Sequence, residues 1–144
     1  MKARWIVALL LTAFTGVAAA QQGQVPTTET ALGSVRIPRA VKADGKDLKA
    51  GTYQVRLTSQ DASPAVPGIK MERWVEFVQG GKVAGREVAS IITADEVKDT
   101  QPGPDLPGKQ PKNGTRVDTL KGGDYLRVWI TRNGVQYLIH LPRA

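Results

Sequence analysis

Two tryptophans stand among charged and polar residues at two-residue spacing: Trp74 alternates with Glu72 and Glu76, and Trp129 alternates with Tyr125 and Arg127. In an extended chain successive side chains point to opposite sides, so each group shares one strand face. An indole flanked by a carboxylate or a guanidinium can stack on a sugar ring or an extended peptide while the charges orient it. Trp74, Glu76, Tyr125, Arg127 and Trp129 are therefore the candidate ligand-binding residues. The competing expectation places both indoles in the core.

Other chemistry has less support in the residues. His140 is the only histidine and cysteine is absent, which removes the nitrogen and sulfur ligand sets that zinc requires. Asp44-Gly45-Lys46-Asp47 and Asp95-Glu96 lack the spaced oxygen ligands of a calcium loop. Ser34, Ser59, Ser63 and Ser90 include no Gly-x-Ser-x-Gly elbow. Paired carboxylates are the better enzymatic candidate, with Glu72, Glu76 and Glu87 on one central hairpin. Glutamates on strands more often face solvent beside arginines such as Arg73 or Arg86, so no catalytic residue, metal or cofactor is assigned.

Export and charge limit the partners. Residues 1–20, MKARWIVALLLTAFTGVAAA, carry Lys2 and Arg4 ahead of an apolar stretch that ends in Ala18-Ala19-Ala20, the pattern of a cleaved secretory signal helix. The apolar stretch is short for a membrane span, which needs about 20 apolar residues, so no integral span is expected after cleavage. Roughly 120 residues remain, enough for one domain with one core. Without disulfides, its stability must come from apolar burial and backbone pairing. The full chain has a formal charge of +7, of which the signal segment supplies Lys2 and Arg4. A periplasmic or secreted basic domain meets acidic glycans, lipid headgroups and envelope proteins, whereas nucleic acid is not expected there.

The elements that must position these residues read as strands. Residues 21–33 are polar and aperiodic, and are expected to form a flexible leader. Within 34–41, Val35, Ile37 and Val41 alternate with arginines, and Pro38 marks an edge or a bulge. Asp44-Gly45 predicts a turn, followed by the cleanest strand of the chain, with Tyr53, Val55 and Leu57 on one face. Gly80-Gly81 predicts a hairpin across 70–94, although a helix over 84–98 has comparable periodicity. Residues 98–114 are rich in proline and glycine and are expected to form a long loop. Leu126, Val128 and Ile130 alternate on the next strand, and Asn133-Gly134 predicts a final hairpin with Val135, Tyr137, Ile139 and Leu141. The expected fold is an all-β, single-domain antiparallel sandwich or small barrel of about seven strands spanning 34–144.

At Ala50-Gly51-Thr52-Tyr53-Gln54-Val55, preceded by Val35-x-Ile37-Pro38 and Asp44-Gly45, the chain resembles small exported bacterial β-domains of uncharacterised function, and more loosely prealbumin-like sandwich modules. The resemblance covers residues 34–58 and implies the fold class alone. Three functions follow as expectations: a non-enzymatic domain that binds an envelope glycan or partner protein through the aromatic face, an assembly module that pairs through an edge strand, and a small carboxylate-dependent hydrolase. The first fits the residues best.

Overall fold

The computed structural model describes residues 25–62, 71–93, 96, 113–120 and 122–144. The signal segment, the first part of the leader and nearly all of the 98–114 stretch lie outside them. The described residues form nine strands: β1 (Thr30–Ile37), β2 (Val41–Ala43), β3 (Lys46–Leu48), β4 (Gly51–Asp61), β5 (Glu72–Gln79), β6 (Lys82–Ile92), β7 (Gly114–Thr119), β8 (Tyr125–Arg132) and β9 (Val135–Pro142). Seven make one sheet in the order β1-β4-β5-β6-β9-β8-β7, every neighbour antiparallel, and β2 and β3 form a separate hairpin. The sheet curls until β1 lies beside β7 and β8, so the fold is barrel-like and nearly closed.

Alternation decides what the barrel encloses. Tyr53, Val55 and Leu57 of β4, Val75 and Phe77 of β5, Leu126, Val128 and Ile130 of β8, and Val135, Tyr137, Ile139 and Leu141 of β9 all point inward and are buried. Tyr53 meets Phe77 edge-to-face at 6.2 Å, and its hydroxyl donates to Lys49 O at 2.6 Å. The interior is thus a packed apolar core. Among the described residues no helix is long and apolar enough to cross a membrane.

The hairpin turns are those expected. Asn133 and Gly134 have φ of 52° and 80°, the doubly left-handed backbone that matches the twist of β8 and β9. Asp44-Gly45 and Gly80-Gly81 turn the β2–β3 and β5–β6 hairpins in the same way. Residues 82–92 are strand throughout, which removes the helix alternative over 84–92.

Two departures have physical causes. First, β1 begins at Thr30, inside the expected leader, because a register shift between Ala31 and Gly33 breaks the alternation and turns Leu32 into the core. An irregular strand of that kind carries no period-2 signature. Pro38 falls just after β1, which is indeed an edge strand. Second, the chain around Asp44-Gly45 is more than a turn. The β2–β3 hairpin caps one end of the barrel with Val41, Ala43 and Leu48, all buried.

Gly85 of β6 makes that cap possible. A Cβ at Gly85 would stand 3.2 Å from Ala43 Cβ and 3.5 Å from Leu48 Cδ1. The Gly85→Val variant is expected to lose about 1–3 kcal/mol of stability by pushing the cap outward. Urea unfolding measures this; a midpoint equal to that of the parent protein would show that the hairpin is not seated as described.

Candidate functional site

The residues that point away from the barrel interior make a second, chemically distinct surface. On β5 these are Glu72, Trp74, Glu76 and Val78, since Val75 and Phe77 point inward. On β8 they are Tyr125, Arg127, Trp129 and Thr131. All five candidate residues therefore lie on the outer face of one continuous sheet, as their spacing predicts. They do not form one patch, because β6 and β9 stand between β5 and β8.

The β5 half is open to solvent in part. Trp74 is half-buried opposite Val88 of β6, and the Arg86 guanidinium lies 4.3 Å from its ring centroid, in cation–π geometry. Next along the strand, Glu76 stands between Arg56 of β4 and Arg86 of β6 in register, and it pairs with Arg56. The hydrogen bond and charge of Glu76 raise the Arg56 pKa above its ordinary value. Arg86 also approaches Asp44 Oδ2 at 3.5 Å, a half-exposed pair that adds little stability. Beside Arg86 a shallow groove of about 300 Å³ runs between the β2–β3 cap and β6, lined by Ala43, Asp44, Lys46, Val83 and Gly85. An indole, two guanidiniums, a carboxylate and a groove thus share one side of the molecule.

The β8 half is built differently. Trp129 points outward yet is only 3% exposed, packed with Ile92 and Leu138 in a small cluster separate from the main core. The expectation of a surface indole is not met there: an outward direction on a strand does not guarantee access to solvent when neighbouring side chains pack on it. Its Nε1–H is buried without a hydrogen-bond partner. Arg127 is buried beside it, 5.3 Å from the ring centroid, and holds Asp118 of β7 through Nε–Oδ1 at 3.0 Å and a second bond at 3.3 Å. Burial alone would push the Asp118 carboxyl up, but Arg127 and then Arg116 hold it below the ordinary carboxylate value. Tyr125 alone of this group is open, at 45% exposure, with its ring edge-to-face with His140 at 6.5 Å.

The three hairpin glutamates have structural partners. Glu76 is paired with Arg56, Glu87 accepts from the Asp44 and Val88 amides at 2.8 and 2.9 Å, and Glu72 accepts from Ser90 Oγ at 3.4 Å. Glu87 lies on the opposite strand face from Glu72 and Glu76, so the three do not converge as a glycosidase pair must. Among the described residues no group of three or more histidines or acids is placed to hold a metal ion.

The sequence reading does not single out Arg56 and names Arg86 and Arg73 only as neighbours of the strand glutamates, not as site residues. Arg56 and Arg86 join the site only through the β4–β5–β6 register, which no local pattern encodes. Arg73 was legible, because it has the same parity as Val75 and Phe77 and so had to turn toward the interior.

Together these features define a barrel-like antiparallel β-domain with a polar aromatic patch on its outer wall. No family model, no curated protein and no solved structure matches the chain.

Proposed function

We propose that the protein is an exported, non-enzymatic domain that binds an envelope glycan, or a partner protein, through the outer face of β4, β5 and β6. The observation that carries this reading is Trp74, a half-buried indole covered by the Arg86 guanidinium and bordered by the Arg56–Glu76 pair. Stacking on an indole with charged hydrogen-bonding groups at its margin suits a sugar ring better than a protein surface. The exposed large apolar side chains of the described residues, Met71, Val83 and Tyr125, are scattered, whereas protein interfaces have a contiguous apolar centre. A ligand displaces Arg86 from the ring or lies against it, and the domain's net positive charge, the +7 of the chain less Lys2 and Arg4 of the signal segment, favours an acidic glycan. Tyr125 is a secondary contact; Trp129 and Arg127, buried on the outer face, brace β8 against β9 and β7.

The test is tryptophan fluorescence of the purified protein against a panel of cell-wall fragments and acidic polysaccharides. A ligand is expected to shift the emission of the Trp129→Phe variant, which retains Trp74, and Trp74→Ala is expected to weaken binding about 10- to 100-fold. Panel-wide silence from Trp74 counts against the reading. A second reading rests on the barrel seam. Because the sheet takes six antiparallel steps, β1 and β7 run in the same direction, and they lie side by side without backbone pairing. A strand antiparallel to both would complete the barrel, and concentration-dependent dimerisation with unresponsive tryptophans would favour that alternative.

A further inference from the structure

We propose that a groove at the barrel rim, distinct from the Trp74 face, binds a small carboxylate with an apolar body, and that Arg73 holds its charged end. Arg73 shares the inward parity of Val75 and is 5% exposed. Its two terminal nitrogens donate to Pro26 O and Thr58 O, and its Nε–H is buried with no acceptor. Asp61 stands opposite it in strand register, yet no carboxylate among the described residues forms an ion pair with it. Removing a cation from water is costly unless a counter-charge compensates, and two neutral carbonyls compensate only in part. A guanidinium whose Nε–H lacks an acceptor, beside a terminal nitrogen with a second hydrogen, can present the fork that a carboxylate accepts in bidentate fashion once the ligand displaces the cover over Nε.

The surroundings select the rest of the ligand. Arg73 lines a groove of about 280 Å³ with Val25, Pro26, Met71, Thr27, Ser59 and Asp61. Val25, Pro26 and Met71 supply an apolar wall, and Met71 is 40% exposed, so one side of the groove is open to entry. That volume is at the small end of ligand pockets and suits a short acyl or aryl acid, not a polymer. Asp61 places a negative charge on the same groove, which penalises a doubly charged phosphate more than a singly charged carboxylate. Trp74 points to the opposite face of β5, so this inference stands or falls independently of the glycan reading.

The test follows the Arg73 Nε–H resonance by ¹H–¹⁵N NMR of the intact protein as octanoate, octanol or inorganic phosphate is added. Octanoate at millimolar concentration is expected to shift that resonance saturably, while octanol and phosphate are not. No saturable shift with octanoate overturns the proposal; an equal shift with octanol shows that the anion is irrelevant, and an equal shift with phosphate overturns the carboxylate assignment. Because Arg73 also holds two backbone carbonyls, its replacement can unfold the rim, and Met71→Glu on the exposed wall is the second arm. It is expected to weaken octanoate binding about tenfold with an unchanged melting temperature, and unchanged affinity would count equally against the site.

Discussion

The Phe77→Ala variant is expected to lose about 3–5 kcal/mol of stability, a large part of the 5–15 kcal/mol that holds a domain of this size together. Phe77 is fully buried on the inner face of β5, next to Val55 of β4 in register on one side and Gly85 of β6 on the other. Its ring supplies the edge-to-face partner of Tyr53 and stands in register beside Gly85, over which Ala43 and Leu48 of the β2–β3 cap are seated. Truncation removes the transfer free energy of the ring and leaves a cavity. That cavity cannot collapse easily, because Tyr53 is tethered through its hydroxyl to Lys49 O and the cap is fixed by the bond from the Asp44 amide to Glu87. In urea unfolding the midpoint should fall while the denaturant slope stays constant. A loss below about 1.5 kcal/mol would mean that the cap settles into the space and is less rigidly seated than its contacts imply. Phe77→Leu, which keeps more of the volume, should cost less than half as much.

Much of this core is legible in the sequence, for reasons that also explain what was not. Tyr53, Val55 and Leu57 alternate without interruption with Thr52, Gln54, Arg56 and Thr58, so their shared inward face follows from the pleat alone. The same parity puts Trp74 with Glu76, and Trp129 with Arg127, on the outer face. Parity does not report cover. Trp129 and Arg127 are buried on a wall that alternation marks as outward, because their burial depends on neighbours from other strands, Ile92, Leu138 and Asp118, and not on the strand itself. Register is equally nonlocal: Glu76 pairs with Arg56 of β4 and not with its sequence neighbour Arg73. Irregularity hides elements outright, as at Ala31–Gly33, where one additional residue erased the pattern of β1. The β2–β3 cap is invisible for another reason. Two three-residue strands offer too few positions for periodicity, and their role is set by a glycine, Gly85, that is distant in sequence.

One tyrosine hydroxyl of the interior, that of Tyr137, should respond strongly to alkali. Tyr137 of β9 is buried, and burial pushes its pKa up to about 12, against a smaller opposing pull from the charges of Arg73 and Arg132. In the unfolded chain a tyrosine ionises near pH 10. Between those values the unfolded state releases a proton that the folded state retains, so raising the pH favours unfolding. The contribution is fully present below about pH 10 and is lost as the pH rises toward 12. About 2 kcal/mol of stability should disappear across that window from this residue alone. The informative quantity is the difference between the parent protein and Tyr137→Phe, which keeps the ring packing and removes the ionisable group. Unfolding free energies of the two proteins should be nearly parallel up to about pH 10 and then diverge, the variant losing less. Parallel curves up to pH 12 would mean that water reaches the Tyr137 hydroxyl, and hence that the barrel is open beneath Arg73 and not sealed by packing. The experiment therefore also reads whether the rim groove ends at Arg73 or continues into the core.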